Sequence, residues 1–278
     1  MVMSRIALCM NVRDEGRDIA EWIAFHGAVG FHSQIIFDNR STDSTPEIIK
    51  AASKVLDVRY HHWDRTDSRY QVDAYFTACH VYRHEFDWIA FVDSDEYMMP
   101  EFPVHMAEYL DGFKDRDVGG IGVNWATYGS SGLIDFPSGL IAESFIRRSS
   151  ADFFPNRHIK SIVRPLSVIS CDNPHWFNTD APYVDAAGNP LEWYVSDQGE
   201  VVKGLTKAIP DYKGARINHY FTRSLAHWKR KVNRGYPADI AIRKMEEFEY
   251  YNRNEIEDPI AVRYMPNVLK ILDRIGNL

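Results

Sequence analysis

The chain has 278 residues, of which 45% are hydrophobic and 13% are aromatic, and its formal net charge at pH 7 is −7. This composition supports a substantial core, which excludes disorder as a global description, and the acidic balance argues against a general nucleic-acid-binding protein. The three cysteines show neither a metal spacing nor a disulfide framework, and no segment approaches the roughly 20 apolar residues of a membrane span, so we expect a cytoplasmic chain, soluble or peripheral to the inner face of a membrane.

The first third of the chain alternates predicted strands and helices. Apolar runs bounded by polar residues predict strands at residues 5–12, 33–39, 56–63 and 87–97. Helical periodicity, with Ser, Thr and Asp caps before one segment, predicts helices at residues 18–30, 41–53 and 69–86. Strands joined by single helices form a mostly parallel sheet, in which ligands bind at the carboxyl ends of the strands. Polar residues follow three of these strands, at 11–15, 38–39 and 93–96, so we expect the chemistry along that edge.

The second half of the chain has a less regular pattern. Residues 119–132 predict a strand that passes into a Gly/Ser loop, 158–165 predict a strand closed by proline, and 139–149 fit either a strand or a short helix. Residues 171–213 predict loops with short strands, and helices are predicted at 222–235, 238–256 and 264–276. We expect one domain over residues 1–278, in which 1–118 bind a nucleotide sugar and 119–278 bind an acceptor.

An acid cluster follows the apolar strand in the segment WIAFVDSDEYMMP, residues 88–100. Repulsion among Asp93, Asp95 and Glu96 costs free energy unless a cation or a proton offsets it. If the strand continues through this segment, alternate residues point the same way, and Asp93 and Asp95 face the same ion. A divalent ion held by carboxylates keeps coordination positions open for the oxygens of a diphosphate.

The acid cluster could also form a solvated turn, a calcium loop or a phosphatase-type site. A solvated turn after a strand would require no ion. An EF-hand calcium loop requires Gly at its sixth position and Glu at its twelfth, where this chain has Met98 and Val104. A phosphatase-type nucleophilic aspartate would favour Thr or Val in place of Tyr97, with a Lys and further acids downstream.

Three motifs together resemble those of a known enzyme family. In order and spacing, NVRDEG, FDNRSTDSTPEI and FVDSDEY resemble the inverting GT-A glycosyltransferases of family 2, and they are most similar to the branch that also contains the family-92 galactosyltransferases. The likeness extends over residues 4–235 through the segments EWIAFHGAVGF, NWATYGSSG, HIKSIVRP and INHYFTRS. It implies a GT-A fold but does not identify the sugar.

The resemblance also implies roles for individual residues. The second acid of the D-x-D motif contacts Mn²⁺ or Mg²⁺ in the family, which falls on Asp95, whereas Asp93 would face the ribose or reach the metal through water. Asp38 would bind uracil or ribose, and the family usually has a second acid where Asn39 stands, which leaves the base preference open. The residues assigned to the donor are Asn11, Glu15, Asp38, Asn39, Gln71, Asp93, Ser94, Lys160 and Arg164, and those assigned to the metal are Asp93, Asp95 and His219. A purely structural role for His219 is the alternative.

Inverting transfer requires a general base that deprotonates the acceptor hydroxyl. We favour Glu143, because an acid inside an apolar stretch holds its proton more readily, and Asp152 is the second candidate. Asp172 and Asp180 are later options. A surface ion pair between Glu143 and Arg147 is the structural alternative.

Several additional polar and aromatic residues could take part in binding. Lys160 and Arg164 alternate with apolar residues and could face phosphate or acceptor, or they could be solubilising charges on an edge strand. Arg69 and Gln71 precede the third predicted helix and could contact the donor phosphate. Trp125, Tyr128 and the loop at 129–132 suit stacking on a sugar acceptor or belong to the core. The basic residues Arg223, Lys229, Arg230, Lys231 and Arg234 could meet the anionic donor, an anionic membrane or solvent.

These features predict a mixed α/β, mostly parallel GT-A fold and a metal-dependent, inverting glycosyltransferase. The donor would be a nucleotide sugar, with UDP favoured, and the acceptor a glycan or a lipid-linked molecule of surface polysaccharide synthesis. The enzymatic alternative is a phosphotransferase or nucleotidyltransferase that uses the same acids. The non-enzymatic alternative is a sugar-nucleotide-binding module without turnover. No nucleic-acid partner is expected.

Overall fold

The structure is a computed structural model that describes residues 3–235 and 243–276. The strands in these ranges are β1 (Ile6–Val12), β2 (Ser33–Asn39), β3 (Asp57–Trp63), β4 (Trp88–Phe91), β5 (Glu96–Pro100), β6 (Gly120–Thr127), β7 (Arg147–Arg148), β8 (Ile159–Val163), β9 (Val168–Asn173), β10 (Trp176–Thr179), β11 (Tyr183–Asp185), β12 (Trp193–Val195), β13 (Val201–Thr206), β14 (Ala215–His219) and β15 (Ile256–Glu257). The helices are α1 (Ile19–Val29), α2 (Thr45–Ala52), α3 (Tyr70–Val81), α4 (Met106–Asp111), α5 (Ile141–Ser144), α6 (Leu225–Arg234), α7 (Met245–Tyr251) and α8 (Met265–Gly276).

The predicted α/β class is confirmed by a large mixed sheet with the strand order β3-β2-β1-β4-β8-β6-β14-β5, to which β11 adds beside β6. The pairs β1–β2, β2–β3, β1–β4, β6–β14 and β6–β11 are parallel. Strand β8 runs antiparallel between β4 and β6, and β5 runs antiparallel to β14. Strands from before and after residue 118 therefore join in the same sheet.

The two faces of the sheet carry separate apolar clusters, as the alternation along β1 requires. Ile6, Leu8 and Met10 belong to the cluster that α1, α2 and α8 cover, whereas Ala7 and Cys9 belong to the cluster that α3 covers. All five side chains are fully buried. Burial of both faces places the sheet inside the molecule and leaves its carboxyl edge open for binding.

The fourth predicted strand, 87–97, is the main correction to the secondary structure. Strand β4 ends at Phe91, the chain turns at residues 94–95, and β5 starts at Glu96 and pairs with β14 at the far edge of the sheet. The Glu96 carboxylate accepts a hydrogen bond of 2.7 Å from the Asp93 N–H, and the Glu96 N–H donates to the Asp93 carbonyl, so side chain and backbone together close the turn. Asp93 and Asp95 therefore lie outside the strands, and the predicted strand alternation is not what orients their side chains.

The structure shows the secondary structure of two segments in the second half of the chain whose prediction was open or incomplete. Residues 139–149, which fitted a strand or a short helix, form both: α5 is followed by the two-residue strand β7. Of the helix predicted at 238–256, the structure shows α7, while residues 236–242 lie outside the described residues. No helix within the described ranges is both long and apolar enough to cross a membrane.

Candidate active site

A cleft of about 420 Å³ lies at the carboxyl ends of β1 and β4. Residues after β1 and the turn that carries Asp93, Ser94 and Asp95 form one side of the cleft, and Trp125 of β6 and His219 of β14 contribute to its lining. Helices α6 and α7 provide a further wall. The position is the one that the sheet topology predicts for a ligand site.

Asp93 is anchored by groups from two different elements. Its Oδ2 atom lies 2.8 Å from the Lys160 ammonium on β8, and its Oδ1 atom accepts a hydrogen bond of 2.6 Å from the Gln71 amide on α3. Burial raises the pKa of Asp93, but the charge of Lys160, its hydrogen bond and the nearby His175 together lower the pKa below the ordinary value. The carboxylate is therefore ionised and already well supplied with donors.

Asp95 meets a different cation, Lys231 of α6. The Lys231 Nζ atom lies 2.5 Å from Asp95 Oδ2, and the His219 Nε2 atom lies 3.7 Å from Asp95 Oδ1. Burial opposes ionisation, yet the Lys231 charge holds the pKa of Asp95 well below its usual value. The same burial lowers the pKa of Lys231 to about 8, so both partners are charged at pH 7.

A buried carboxyl group lies directly behind the two aspartates. Glu96 has no exposed surface, and its Oε2 atom lies 3.7 Å from the Nζ atom of Lys160, which is also fully buried. Burial raises the pKa of Glu96 to about 8, although Lys160 opposes the shift. Protonation of Glu96 at neutral pH supplies part of the charge compensation that three neighbouring acids require.

The turn that carries the aspartates is fixed from both sides. The Ser94 hydroxyl donates to Glu15 Oε1 at 3.0 Å, and the Ser94 carbonyl accepts from Arg223 Nη2 at 3.0 Å. Arg223, which is buried, also forms an ion pair of 2.5 Å with Asp18 at the start of α1. Through these contacts, residues from both halves of the sequence hold the turn at residues 93–96 in place.

The cleft contains several of the residues predicted for the donor. Asn11, Glu15, Gln71, Asp93 and Ser94 line it. The buried Nδ2 atom of Asn11 has no hydrogen-bond partner among the described residues, which makes it a donor available to a ligand.

Lys160 was also predicted to bind the sugar-nucleotide donor, but it lies below the surface of the cleft, where it contacts Asp93. It lies on β8, and its side chain is directed to the acid cluster rather than to solvent, so it is not a solubilising edge charge.

Three more of the predicted donor residues lie outside the cleft lining. Asp38 is buried and accepts from the Tyr60 hydroxyl at 2.9 Å, and the Asn39 side-chain oxygen accepts from the Arg65 N–H at 3.0 Å. Arg164 follows the end of β8 and donates to the carbonyls of residues 113, 114 and 118. The prediction that Arg164 shares a strand face with Lys160 is wrong, because the strand ends before it and its guanidinium binds a turn at the opposite end of the sheet.

The expected environment of the general-base candidates is also corrected. Glu143 on α5 and Asp152 are exposed and lie outside the cleft lining, as do the later options Asp172 and Asp180. The burial predicted for Glu143 is absent because the apolar neighbours Ile141 and Ala142 face inward and leave the glutamate outside. Arg147 forms its ion pair with Glu257 of β15 instead, at 3.2 Å.

The cleft includes a carboxylate that the sequence did not single out, Glu247 on α7. Its contacts are local, since it accepts from the Lys244 N–H at 3.2 Å and lies 3.8 Å from Arg243. His175 also lines the cleft. Neither residue belongs to a motif with a characteristic spacing, so a single sequence gives no signal for them.

Some of the predicted aromatic and basic residues line the cleft, whereas others make contacts elsewhere in the fold. Trp125 lines the cleft, whereas the buried Tyr128 hydroxyl donates to the carbonyl of Asp258, and Arg69 pairs with Asp73. In the basic run, Arg223, Arg230 and Lys231 turn toward the acidic loops and Lys229 is exposed. The side chain of Arg234 lies outside the described part of the structure.

Asp95 and His219 are the residues of the cleft that could hold a divalent cation together with a substrate. The Asp95 Oδ1 atom and the His219 Nε2 atom lie 3.7 Å apart, and burial lowers the pKa of His219, so the imidazole is neutral and one of its two nitrogens can coordinate a metal. Among the described residues no group of three or more His, Cys, Asp or Glu side chains is placed to hold a metal by itself. Mg²⁺ at nucleotide sites usually takes one or two carboxylates from the protein and completes its coordination with phosphate oxygens and water.

The fold and the cleft define an α/β protein with a polar, charged cleft at the carboxyl edge of its sheet. The model of Glycosyltransferase family 92 matches residues 5–196, and the chain belongs to this family. A family 92 protein of Oryza sativa subsp. japonica is 28% identical over 165 residues, which are 58% of this chain and 27% of the relative. One of Ricinus communis is 26% identical over 247 residues, which are 83% of this chain and 40% of the relative. The chain thus spans less than half the length of these curated relatives.

The solved structures that resemble this chain share less sequence identity with it than the family 92 relatives do. Residues 1–349 of S. aureus TarS in complex with UDP-GlcNAc give a TM-score of 0.43 at 13% identity, covering 99% of this chain and 73% of that chain. Glucosyl-3-phosphoglycerate synthase from Mycobacterium tuberculosis, in complex with Mn²⁺, UDP and glucosyl-3-phosphoglycerate, gives a TM-score of 0.31 at 17% identity, with 44% of each chain covered. Likeness at this level carries no information about the ligands of the present chain.

Proposed function

We propose that this protein is a metal-dependent, inverting glycosyltransferase. It moves a sugar from a nucleotide donor, with UDP favoured by the motif resemblance, to a glycan or lipid-linked acceptor. The observation that carries the proposal is the arrangement at Asp95, where a partly buried carboxylate, a neutral imidazole and an ammonium meet in the cleft of a family 92 chain. Such a set can bind a cation and the diphosphate of a leaving group together.

The cleft provides separate groups for the nucleoside and for the diphosphate. Asn11 and Glu15 lie where β1 ends and would contact the nucleoside, to which the Asn11 amide, without a partner in the described part of the chain, can donate. Lys231 lies beside Asp95 and would contact the diphosphate oxygens. Mn²⁺ or Mg²⁺, held by Asp95 and His219, would neutralise the developing charge of the leaving diphosphate when bound.

Asp93 would position the loop rather than take part in the chemistry. Its two oxygens are taken by Lys160 and Gln71, and the Lys160 side chain is buried. The pair fixes the turn on which Asp95 is presented, which is the preorganisation that electrostatic catalysis requires.

Glu247 is the carboxylate that best fits the general base. The other acids of the cleft wall contact groups from distant elements, namely Lys160 for Asp93, Lys231 for Asp95 and Ser94 for Glu15. Among the described residues, Glu247 contacts Arg243 and Lys244 at the start of its own helix. It would remove the proton of the acceptor hydroxyl as that oxygen bonds to the anomeric carbon and the bond from this carbon to the diphosphate oxygen breaks.

Two measurements test the proposal. Thermal unfolding with a panel of nucleoside diphosphates should show the largest stabilisation when nucleotide and Mn²⁺ are present together, of about 3 kcal/mol at a hundredfold excess over the dissociation constant. Release of the diphosphate from a sugar nucleotide in the presence of acceptors then reports turnover. Stabilisation by nucleotide without any effect of metal would refute metal dependence, and binding without turnover with every acceptor would support a binding module.

A further inference from the structure

The contact between Lys231 and Asp95 bears on how a cation enters the site. The ammonium lies 2.5 Å from Asp95 Oδ2 and donates to the Phe221 carbonyl at 3.0 Å, and the side chains of both charged residues are 15% exposed. The Nζ atom also lies 4.2 Å from the centre of the Phe221 ring. An ion pair, a hydrogen bond to a backbone carbonyl and a contact with an aromatic ring therefore hold the Lys231 ammonium beside the Asp95 carboxylate.

A divalent cation and this ammonium would need the same negative charge. Asp95 contributes one unit of charge, and Lys231 already compensates it, so a cation bound beside His219 would lie next to an uncompensated ammonium. Charges of the same sign at such distances repel strongly where water is largely excluded. A bound diphosphate removes this repulsion. Its oxygens can accept hydrogen bonds from the Lys231 ammonium, so that the Asp95 carboxylate is left to coordinate the cation.

We propose that Lys231 competes with the divalent cation for Asp95 in the free protein and transfers to the diphosphate when the nucleotide binds. This inference rests on the proposed function and adds to it that cation and nucleotide bind in a mutually dependent manner. By thermodynamic linkage, the factor by which the nucleotide tightens cation binding equals the factor by which the cation tightens nucleotide binding. Lys231 would thus keep the cation weakly bound until the donor arrives.

The position of Lys231 on α6 suits such a transfer. Ser224 caps the start of the helix, and Arg230 donates to the Asp14 carbonyl at 2.9 Å, so the helix itself is fixed against the β1 loop. The long lysine side chain can then move its ammonium between carboxylate and diphosphate without movement of the backbone.

The test is a titration of the full chain with Mn²⁺, monitored by the electron paramagnetic resonance signal of free Mn²⁺, with and without UDP. In the wild type we expect weak binding of Mn²⁺ alone and a clear increase in affinity with UDP. Lys231→Met should bind Mn²⁺ alone about tenfold more tightly and should show a correspondingly smaller effect of UDP. Lys229→Met, which removes an exposed charge two residues away on the same helix, is the matched control and should behave as the wild type.

Equal Mn²⁺ affinity of Lys231→Met and wild type in the absence of UDP would overturn the proposal while leaving metal binding intact. If neither protein bound Mn²⁺ even with UDP, the metal dependence in the proposed function would fail as well, so the two failures are distinguishable. Lys231→Gln provides a second neutral variant, and its result decides the question if Lys231→Met does not fold. A wild type whose Mn²⁺ affinity does not change with UDP would likewise overturn the inference.

Discussion

Replacement of Lys160 by methionine should destabilise the fold through the charges that it leaves behind. The ammonium is fully buried between Asp93, at 2.8 Å, and Glu96, at 3.7 Å. Removal of one partner of a buried ion pair costs about 3 to 5 kcal/mol, because the remaining charge has neither solvent nor a counterion. The Asp93 side chain is 37% exposed, so water screens part of this cost, and we expect a loss of about 3 kcal/mol at pH 7.

The loss should be measured as the change in the free energy of unfolding in urea, followed by tryptophan fluorescence. It should be larger at pH 8 than at pH 5, since without Lys160 the two carboxyl groups retain their protons more readily and the buried charge disappears in acid. Lys229→Met is the control for a lysine that lies at the surface. A loss below about 1 kcal/mol, or a loss that does not depend on pH, would refute the argument that Lys160 compensates the acid cluster.

The remaining predictions concern the cleft and one buried acid. Asp95→Asn should bind UDP without any effect of Mn²⁺ in thermal unfolding, and a preserved metal effect would show that the cation lies elsewhere. Glu247→Gln should lower kcat by about 10²-fold or more with unchanged donor affinity, whereas Glu143→Gln, at an exposed position, should keep wild-type turnover; the opposite result would return the base to Glu143. Burial raises the pKa of Glu21 to about 7 against an ordinary value of 4.5, so the folded state binds the proton more tightly and this group lowers stability as pH rises from 4.5 to 7, by up to about 1.4 kcal/mol per pH unit. In Glu21→Gln the free energy of unfolding in urea should therefore fall less, or rise more, between pH 4.5 and 7 than in the wild type, and an unchanged pH dependence would contradict the assignment.

The order of elements in the first third of the chain was predictable because each depends on local patterns. β1, α1, β2 and β3 were predicted to within a residue or so, since apolar runs, a terminal glycine and helix caps lie inside the segments themselves. The same patterns placed the acid cluster at the carboxyl edge of the sheet. The motif resemblance added the family, which the match over residues 5–196 confirms.

The partners of the acids were not predictable, because they lie far away in the sequence. Lys160 and Lys231 are 67 and 136 residues from the aspartates they neutralise, and the sequence pattern assigned neither of them a carboxylate partner. Strand β8 enters the sheet antiparallel beside β4 and brings Lys160 to Asp93, and α6 lines the cleft and brings Lys231 to Asp95.

What the sequence determined by itself is the alternation of buried strands and helices and the presence of a concentrated negative charge where β4 ends. The tertiary structure decided which cations compensate that charge and which carboxylates line the cleft: Glu143 lies on the surface outside it, whereas Glu247 is part of its lining. The physical reason is that hydrophobic periodicity acts over a few neighbouring residues, whereas an ion pair depends on where the packing of distant elements places two side chains.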